Sequence, residues 1–255
     1  MNRRDLLFAA AAAVVPHVIT RASGQTRESL VEDVVTANRI LAAQEIVDAF
    51  GHVSVRLSAN RFLLSRSIAP AQVTPADIME WDLDANPATA DKRAGYRERF
   101  IHSEIFRARP EVMSVVHCHA ASLIPFGITG VPLRPVYHNS SFIGEGVPVF
   151  EIRATAGETD MLVGTPELGR ALARTLGNKP AALMRGHGAV IVGRSLEESV
   201  ARSVYLEVNA RVQAQAMAMG ERITYLSDEE VKLRSGANEY SRAWELWKSQ
   251  AAARK

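Results

Sequence analysis

The segment from His52 to Leu57 alternates strictly between polar and apolar side chains and reads HVSVRL. A period of two predicts a half-buried strand, and the turn residues 58–60 followed by Leu63 and Leu64 predict a second strand that pairs with it. Because a hairpin joins antiparallel strands, all-parallel α/β architectures are excluded. We therefore expect a layered α/β domain with a mixed, mainly antiparallel sheet.

The rest of the chain alternates between helical and strand patterns. Apolar spacing and capping residues predict helices at 27–50, 97–108, 166–176 and 195–220, and a terminal helix that begins at 227–230. Apolar runs predict further strands at 79–83, 112–119, 147–152, 181–184 and 189–192. Gly51 is placed to end the first helix. No repeat or linker divides residues 25–255, so we predict a single domain there.

The first 24 residues have a different character. The pair Arg3-Arg4, the short apolar run 6–15, Pro16 and the small residues 22–24 are typical of an export signal of the twin-arginine type. This interpretation predicts a periplasmic protein with a mature N-terminus near Gln25; the alternative is an N-terminal core helix in a cytoplasmic protein.

Charge and cysteine content narrow the function further. The chain carries 30 Lys and Arg and 28 Asp and Glu. Removal of the signal, with three arginines and one aspartate, leaves a formally neutral domain, so neither nucleic acid nor an anionic membrane is an expected partner. The single cysteine excludes an intramolecular disulfide.

Three histidines are candidate metal ligands. His117 and His119 end an apolar strand at spacing i and i+2, so their side chains share one face of the sheet. His187 lies between Gly186 and Gly188, which let the backbone bend closely around the imidazole. Three imidazoles with an open position indicate a catalytic metal site, with zinc expected and manganese, iron or cobalt left open. The alternative is that these are ordinary core histidines.

Glu98 and His102 are spaced i and i+4 on the predicted helix 97–108 and should share one face. If that face meets the metal, Glu98 is placed to move a proton at a carbon next to a metal-bound carbonyl. The alternative is a solvated pair on the surface.

A set of motifs occurs in a characteristic order along the chain. These are Gly51-His52-Val53-Ser54-Val55-Arg56, Glu98-x3-His102, Arg109-Pro110-x-Val112, Val115-Val116-His117-x-His119, Gly186-His187-Gly188 and Leu226-Ser227-Asp228-Glu229-Glu230. In this order, over about residues 30–232, the chain resembles the class II aldolase/adducin family, typified by L-fuculose-phosphate aldolase and L-ribulose-5-phosphate 4-epimerase.

The resemblance implies a three-layer α/β/α fold and a homotetramer with active sites between subunits. It places the metal on His117, His119 and His187 and the catalytic carboxylate on Glu98. A tyrosine of the neighbouring subunit donates a proton in the aldolases, and Tyr137 lies near the matching position.

The phosphate cradle of the phosphosugar members is not preserved. Where the family has a Gly-Asn pair, a Thr-Gly turn and a Ser-Ser pair, this chain has Gly51-His52, Ser65-Arg66-Ser67 and Tyr96-Arg97. The candidate substrate-binding residues are His52, Ser65, Arg66, Arg97, His102, Arg134 and Arg185. The arginines suit a carboxylate, although some of them are expected to be ordinary surface residues.

The motifs around Arg134 and Arg185 are similar to a branch that includes decarboxylases of dihydroxyphthalate and of carboxy-hydroxymuconic semialdehydes. We therefore expect a divalent-metal-dependent carbon–carbon lyase that decarboxylates a hydroxylated carboxylic acid through a metal-stabilised enolate. The alternatives are an aldolase or epimerase that acts on a non-phosphorylated sugar or hydroxy-keto acid, and an adducin-like binding module without catalysis.

Overall fold

The structure is a computed structural model that describes residues 25–144, 146–235 and 240–253. The predicted export signal, residues 1–24, lies outside the described residues. Among the helices of the described ranges, none combines the length and the apolar character needed to cross a membrane.

A seven-stranded sheet forms the centre of the described chain. Its strands are β1 (His52–Ser58), β2 (Arg61–Ser65), β3 (Ile78–Asp82), β4 (Ser114–Cys118), β5 (Val149–Phe150), β6 (Ala181–Met184) and β7 (Gly188–Gly193). They lie in the order β3-β2-β1-β4-β7-β6-β5. Every neighbouring pair is antiparallel except β5 and β6, so the predicted mixed, mainly antiparallel sheet and its first hairpin are confirmed.

Helices cover both faces of this sheet. They are α1 (Arg27–Ala43), α2 (Arg99–Ala108), α3 (Ile124–Ile128), α4 (Arg153–Ala156), α5 (Pro166–Leu176), α6 (Leu196–Ala218), α7 (Asp228–Ser235) and α8 (Ser241–Ala253). One buried core lies between the sheet and α1, α6 and α8, and a second core lies between the sheet and α2 and α5. The arrangement is the expected three-layer α/β/α fold.

The alternation along β1 explains which side chains face which layer. Val53 and Val55 are buried in the core beneath α1 and α6. Successive side chains of a strand point to opposite faces, so His52, Ser54 and Arg56 face the α2 layer. Strand β4 pairs with β1 so that His117 lies opposite His52. The sheet thus brings two histidines together on one face.

Several elements differ from the predicted ones. Helix α1 ends at Ala43, and residues 44–50 form turns that return Ile46 and Val47 to the core. Gly51, at φ 90°, is therefore not a helix cap; a Cβ there would lie 3.0 Å from the carbonyl oxygen of His117. Strand β5 has two residues instead of six, and α8 has no counterpart among the predicted elements.

Candidate functional site

Four side chains from separate segments converge on one point. His117 is the penultimate residue of β4, and His119 directly follows that strand. His187 lies in the β6–β7 turn, and Glu98 is the residue that caps α2. The Nε2 atom of His119 lies 3.0 Å from Nε2 of His117 and 3.0 Å from Nε2 of His187. Glu98 Oε2 lies 3.4 Å from His117 Nε2 and 3.6 Å from His187 Nε2. The ligand atoms of all four residues lie within 4.8 Å of one another.

Backbone carbonyls orient two of these imidazoles. His117 Nδ1 lies 3.1 Å from the carbonyl oxygen of Ala189, and His187 Nδ1 lies 3.1 Å from that of Met161. A carbonyl only accepts, so each Nδ1 carries the proton and donates it. The Nε2 atoms of His117 and His187 therefore present lone pairs to the centre, as metal-ligating histidines do.

The donor set fits a divalent cation. His119 Nε2 can satisfy at most one of its two neighbouring nitrogens with a hydrogen, so lone pairs face each other at 3.0 Å. Nitrogens bound to one zinc ion at about 2.1 Å are about 3.4 Å apart in tetrahedral geometry, close to the observed spacing. A cation at the centre converts this repulsion into coordination.

The protonation states agree with a ligand role. Burial, assisted by the neighbouring histidines His117 and His187, lowers the pKa of His119 to about 4. Burial also lowers the pKa of His187. Both imidazoles are therefore neutral at pH 7, which is the form that binds a metal ion.

Glu98 is held in place from both of its oxygens. Its Oε1 accepts a hydrogen bond of 2.9 Å from the backbone N–H of Val163, and its Oε2 faces the histidines. Burial acts to raise the pKa of Glu98, but positive charge at the positions of His117 and His187 and the hydrogen bond from the Val163 N–H act to lower it, and the lowering prevails. The buried side chain is thus an ionised carboxylate with one oxygen directed at the cluster.

His102 does not join this cluster. Because α2 begins at Arg99, Glu98 lies at its cap and its side chain diverges from that of His102. His102 Nε2 lies 2.6 Å from His52 Nδ1, and His102 Nδ1 lies 2.6 Å from Ser54 Oγ. The prediction that Glu98 and His102 share a metal-facing side is wrong for His102, which belongs to a buried His52–His102–Ser54 chain of hydrogen bonds.

A cleft of about 430 Å³ opens above the cluster. Its lining residues are Ala49, Phe50, Gly51, His52, Ser67, Ile68, Ala69, Tyr96, Arg97, Glu98, His119 and Leu162. Burial, followed by the charges of the neighbouring histidines, lowers the pKa of His52 well below its ordinary value. The innermost wall of the cleft is therefore a neutral imidazole.

Residues 32–214 match the family described as class II aldolase and adducin N-terminal domain.

The chain belongs to this family.

The chain is similar to named members of the class II aldolase family. It is 37% identical over 235 residues to decarboxylase tropJ of Talaromyces stipitatus, which covers 82% of this chain and 88% of that protein. It is 28% identical over 215 residues to 3,4-dihydroxyphthalate decarboxylase of Arthrobacter keyseri, with 78% and 84% covered. The fold matches L-fuculose 1-phosphate aldolase from Glaciozyma antarctica PI12 with a TM-score of 0.71 at 23% identity, over 88% of this chain and 87% of that one.

These likenesses confirm three predictions. The resemblance to the class II aldolase family and its three-layer fold are confirmed. The relatives are named as decarboxylases and aldolases, which are lyases, so the prediction of an enzyme of this kind is confirmed as well.

Only one of the four predicted substrate-binding arginines lines the cleft of this class II aldolase domain. Arg97 lies at the rim, two-thirds exposed, and its Nη2 donates to Asp160 at 2.9 Å. The others have partners elsewhere: Arg66 pairs with Asp77 at 2.6 Å, Arg185 with Glu151 at 2.6 Å, and Arg134 stacks on the Tyr225 ring at 4.0 Å. The rim therefore offers a substrate one guanidinium from the described residues.

Tyr96 is a site residue that the motif comparison did not assign. Its ring lies 4.4 Å from that of His52, and its hydroxyl donates to the carbonyl of Ile68 at 2.5 Å and lies 3.1 Å from Ser65 Oγ. Burial raises the pKa of Tyr96, so the phenol stays protonated. Ser65 is thus buried behind Tyr96 and does not line the cleft. The sequence signal that could have identified Tyr96 is the Tyr96-Arg97 pair, which stands where the family has two serines.

Tyr137 lies away from the cleft of its own chain. Its hydroxyl accepts a hydrogen bond of 2.9 Å from Asn139 Nδ2, and its ring lies 4.9 Å from that of His138. The cleft lining does not include it. A role for Tyr137 would therefore be played in the cleft of another copy, as the resemblance to the family implies.

Proposed function

We propose that this class II aldolase domain is a metal-dependent carbon–carbon lyase that decarboxylates a hydroxylated carboxylic acid. The substrate type we propose is a dihydroxyphthalate or a carboxy-hydroxymuconic semialdehyde. The observation that carries the proposal is the convergence of three imidazoles and one ionised carboxylate beside an open cleft, which Glu98 and His119 line. The names of its relatives, decarboxylase tropJ and 3,4-dihydroxyphthalate decarboxylase, support decarboxylation as the reaction.

His117, His119 and His187 would hold the metal ion, and three imidazoles suit zinc, with manganese, iron or cobalt as alternatives. When bound, such an ion acts as a Lewis acid toward neighbouring substrate oxygens. Glu98 is placed to be the acid–base group. The Val163 N–H keeps one of its oxygens occupied and leaves the other directed at the reacting centre.

Glu98 moves one proton in this proposal. As an ionised carboxylate it accepts the proton of the substrate hydroxyl. The bond to the departing carboxylate then breaks, carbon dioxide leaves, and Glu98 returns the proton to the carbon that keeps the electron pair. The substrate hydroxyl remains as an oxyanion and takes a proton from water on release, so protons and electrons balance.

The walls of the cleft suit a flat acid better than a phosphate ester. His52 and Tyr96 form a neutral inner wall of two rings 4.4 Å apart. Arg97 at the rim offers a planar guanidinium, which matches a carboxylate that is retained in the product. One guanidinium and a neutral wall give a doubly charged phosphate little compensation.

We further propose that the protein is a homotetramer in which Tyr137 of one subunit completes the cleft of its neighbour. Light scattering in solution tests the tetramer; a monomer that is fully active would contradict it.

We also propose export by the twin-arginine route. Sequencing of protein from a periplasmic fraction should then begin near Gln25, and an intact Met1 there would contradict the signal.

The central experiment measures metal content and then products. Elemental analysis of the purified protein should find about one divalent ion per chain. Metal-loaded protein, incubated with a panel of hydroxylated aromatic and ring-opened acids, should release carbon dioxide, and His117→Ala should not. Release of an aldehyde without carbon dioxide would instead establish an aldolase, and a metal-free wild-type protein that behaves like His117→Ala would establish a binding module.

A further inference from the structure

Residues 160–163, here called the strap, contact two functional groups through the backbone. The carbonyl oxygen of Met161 accepts the Nδ1 hydrogen of His187 at 3.1 Å. Two residues later, the N–H of Val163 donates to Oε1 of Glu98 at 2.9 Å. One short piece of main chain therefore orients both a candidate metal ligand and the candidate acid–base carboxylate.

The conformation of the strap is unusual and is held from several sides. Met161 has φ 70°, in the left-handed region that residues other than glycine rarely adopt. Asp160 Oδ1 accepts the N–H of Leu162 at 3.2 Å and closes the turn around Met161. Asp160 Oδ2 pairs with Arg97 at 2.9 Å. Strained backbone of this kind persists where the surrounding contacts determine it, and it concentrates at functional sites.

The partners of the two backbone groups belong to the same cluster of side chains. Residue 161 directs its carbonyl to the β6–β7 turn, while residue 163 directs its N–H to the cap of α2. Between them, Leu162 lines the cleft itself. A change in the backbone torsions at residue 161 would therefore displace both hydrogen bonds at once.

We propose that the strap is a positioning element that couples metal binding to proton transfer, with Met161 and Asp160 as its positioning residues. The inference rests on the proposed metal site and goes beyond it. Loss of the Met161 carbonyl frees the tautomer and ring orientation of His187, and loss of the Val163 N–H frees Glu98 to rotate. Outer partners of metal ligands of this kind contribute about tenfold to a hundredfold in metal affinity or activity.

The main test compares Met161→Gly with Met161→Val. Both variants lose the thioether that contacts Arg185 Nη2 at 3.4 Å, so that loss is common to the pair. Glycine adopts a positive φ freely, whereas valine, branched at Cβ, strongly resists it. We expect Met161→Val to bind zinc at least tenfold more weakly than Met161→Gly. The measurement is competition against a chromophoric chelator with metal-stripped protein, which needs no substrate.

Two further readouts separate positioning from general destabilisation. The visible absorption of the cobalt-loaded protein reports the geometry of the ligands, and it should change in Met161→Val and not in Met161→Gly. With a turnover assay, kcat should fall in Met161→Val with KM nearly unchanged, because Glu98 acts on bound substrate. A variant that is only less stable would keep the wild-type cobalt spectrum at low temperature.

Asp160 allows a matched control within the same loop. Asp160→Ala removes the acceptor for the Leu162 N–H and should weaken zinc binding and lower kcat together. Asp160→Asn keeps an Oδ1 acceptor and should restore most of both, although it loses the charge that pairs with Arg97. Glu158→Ala removes an exposed carboxylate that makes no hydrogen bond among the described residues, and it should match the wild type.

The outcomes are distinct. If wild-type protein binds zinc, but Met161→Val and Asp160→Ala bind it with wild-type affinity and give the wild-type cobalt spectrum, the strap proposal is wrong and the proposed function stands. If kcat falls while metal affinity is unchanged, the proposed coupling between metal binding and proton transfer is wrong. If the wild-type protein takes up no divalent metal, the proposed function is wrong and the strap inference is lost with it.

Discussion

Two groups of histidines lie side by side on the same face of the sheet and behave in opposite ways. The metal group is His117, His119 and His187, and the chain group is His52 and His102. His52 and His117 are paired across β1 and β4, with ring centroids 5.1 Å apart. Both groups are largely buried and have close nitrogen–nitrogen contacts, yet only the metal group directs its ring nitrogens at one common point.

The difference lies in what the second ring nitrogen contacts. In the metal group, backbone carbonyls of Ala189 and Met161 take the Nδ1 hydrogens and turn the Nε2 lone pairs toward one point. In the chain group, each nitrogen of His102 is satisfied by a side chain, His52 on one side and Ser54 on the other. A histidine pair is therefore read as ligands or as a hydrogen-bond chain by its outer partners, not by burial or spacing.

The largest effect that this comparison predicts is a difference between His117→Ala and His102→Ala. His117→Ala removes a metal ligand, so metal content should fall and activity should drop by about a thousandfold or more. His102→Ala should keep one metal ion per chain, because the ring nitrogens of His102 bond to His52 and Ser54 and to no member of the metal group. Elemental analysis of both dialysed variants checks this, and loss of metal from His102→Ala would erase the distinction between the groups.

Glu98 should produce the next largest effect, on turnover alone. Glu98→Gln keeps an oxygen for the Val163 N–H but cannot accept a proton. We expect kcat to fall by about a hundredfold to ten-thousandfold with the metal retained. The control is the zinc content and cobalt spectrum of the same sample. A variant that loses its metal would make Glu98 chiefly a ligand.

How much of this site could be predicted from the sequence follows the same division. The candidate ligands His117, His119 and His187 could be proposed from the sequence because strand periodicity and flanking glycines are local signals, and the structure brings the three side chains together. The separate role of His102 could not, because it depends on α2 beginning at residue 99 and not at residue 97. This difference of two residues in the helix start decides whether Glu98 lies on the helix face or at its cap.

The roles of residues that depend on tertiary contacts could not be predicted from local sequence patterns. Arg66 and Arg185 were candidate substrate-binding residues, but Asp77 and Glu151 pair with them in the folded chain. The strap acts through backbone atoms of Met161 and Val163, and no side-chain motif encodes these. The fold was easier to predict, because the hairpin of β1 and β2 by itself excluded all-parallel sheet architectures.

A smaller effect should distinguish the two ends of the His52–His102–Ser54 hydrogen-bond chain. His52→Phe keeps a ring against Tyr96 but leaves His102 Nε2 without its partner, and it removes the imidazole from the cleft wall. We expect a loss of about 1–3 kcal/mol in the free energy of unfolding and a raised KM. Ser54→Ala breaks the buried end of the same chain and should lower stability similarly with KM unchanged. Equal KM values in both variants would argue against a substrate contact at His52.

The last predicted effect is a change in the pH dependence of stability. Burial lowers the pKa of His102 from 6.5 to about 3, so between these pH values the unfolded chain binds a proton there and the folded chain does not. Stability from this group is therefore complete above pH 6.5 and is lost as the pH falls toward 3. His102→Gln keeps hydrogen-bonding groups but does not titrate, so its unfolding free energy should fall less steeply, by about 1.4 kcal/mol per pH unit. Urea unfolding of metal-stripped protein measures both slopes, with Ser54→Ala, which retains His102, as the control that keeps the steep slope. Identical slopes in His102→Gln and the wild type would mean that His102 is charged in the folded protein, and the contrast with the metal group would then have to rest on geometry alone.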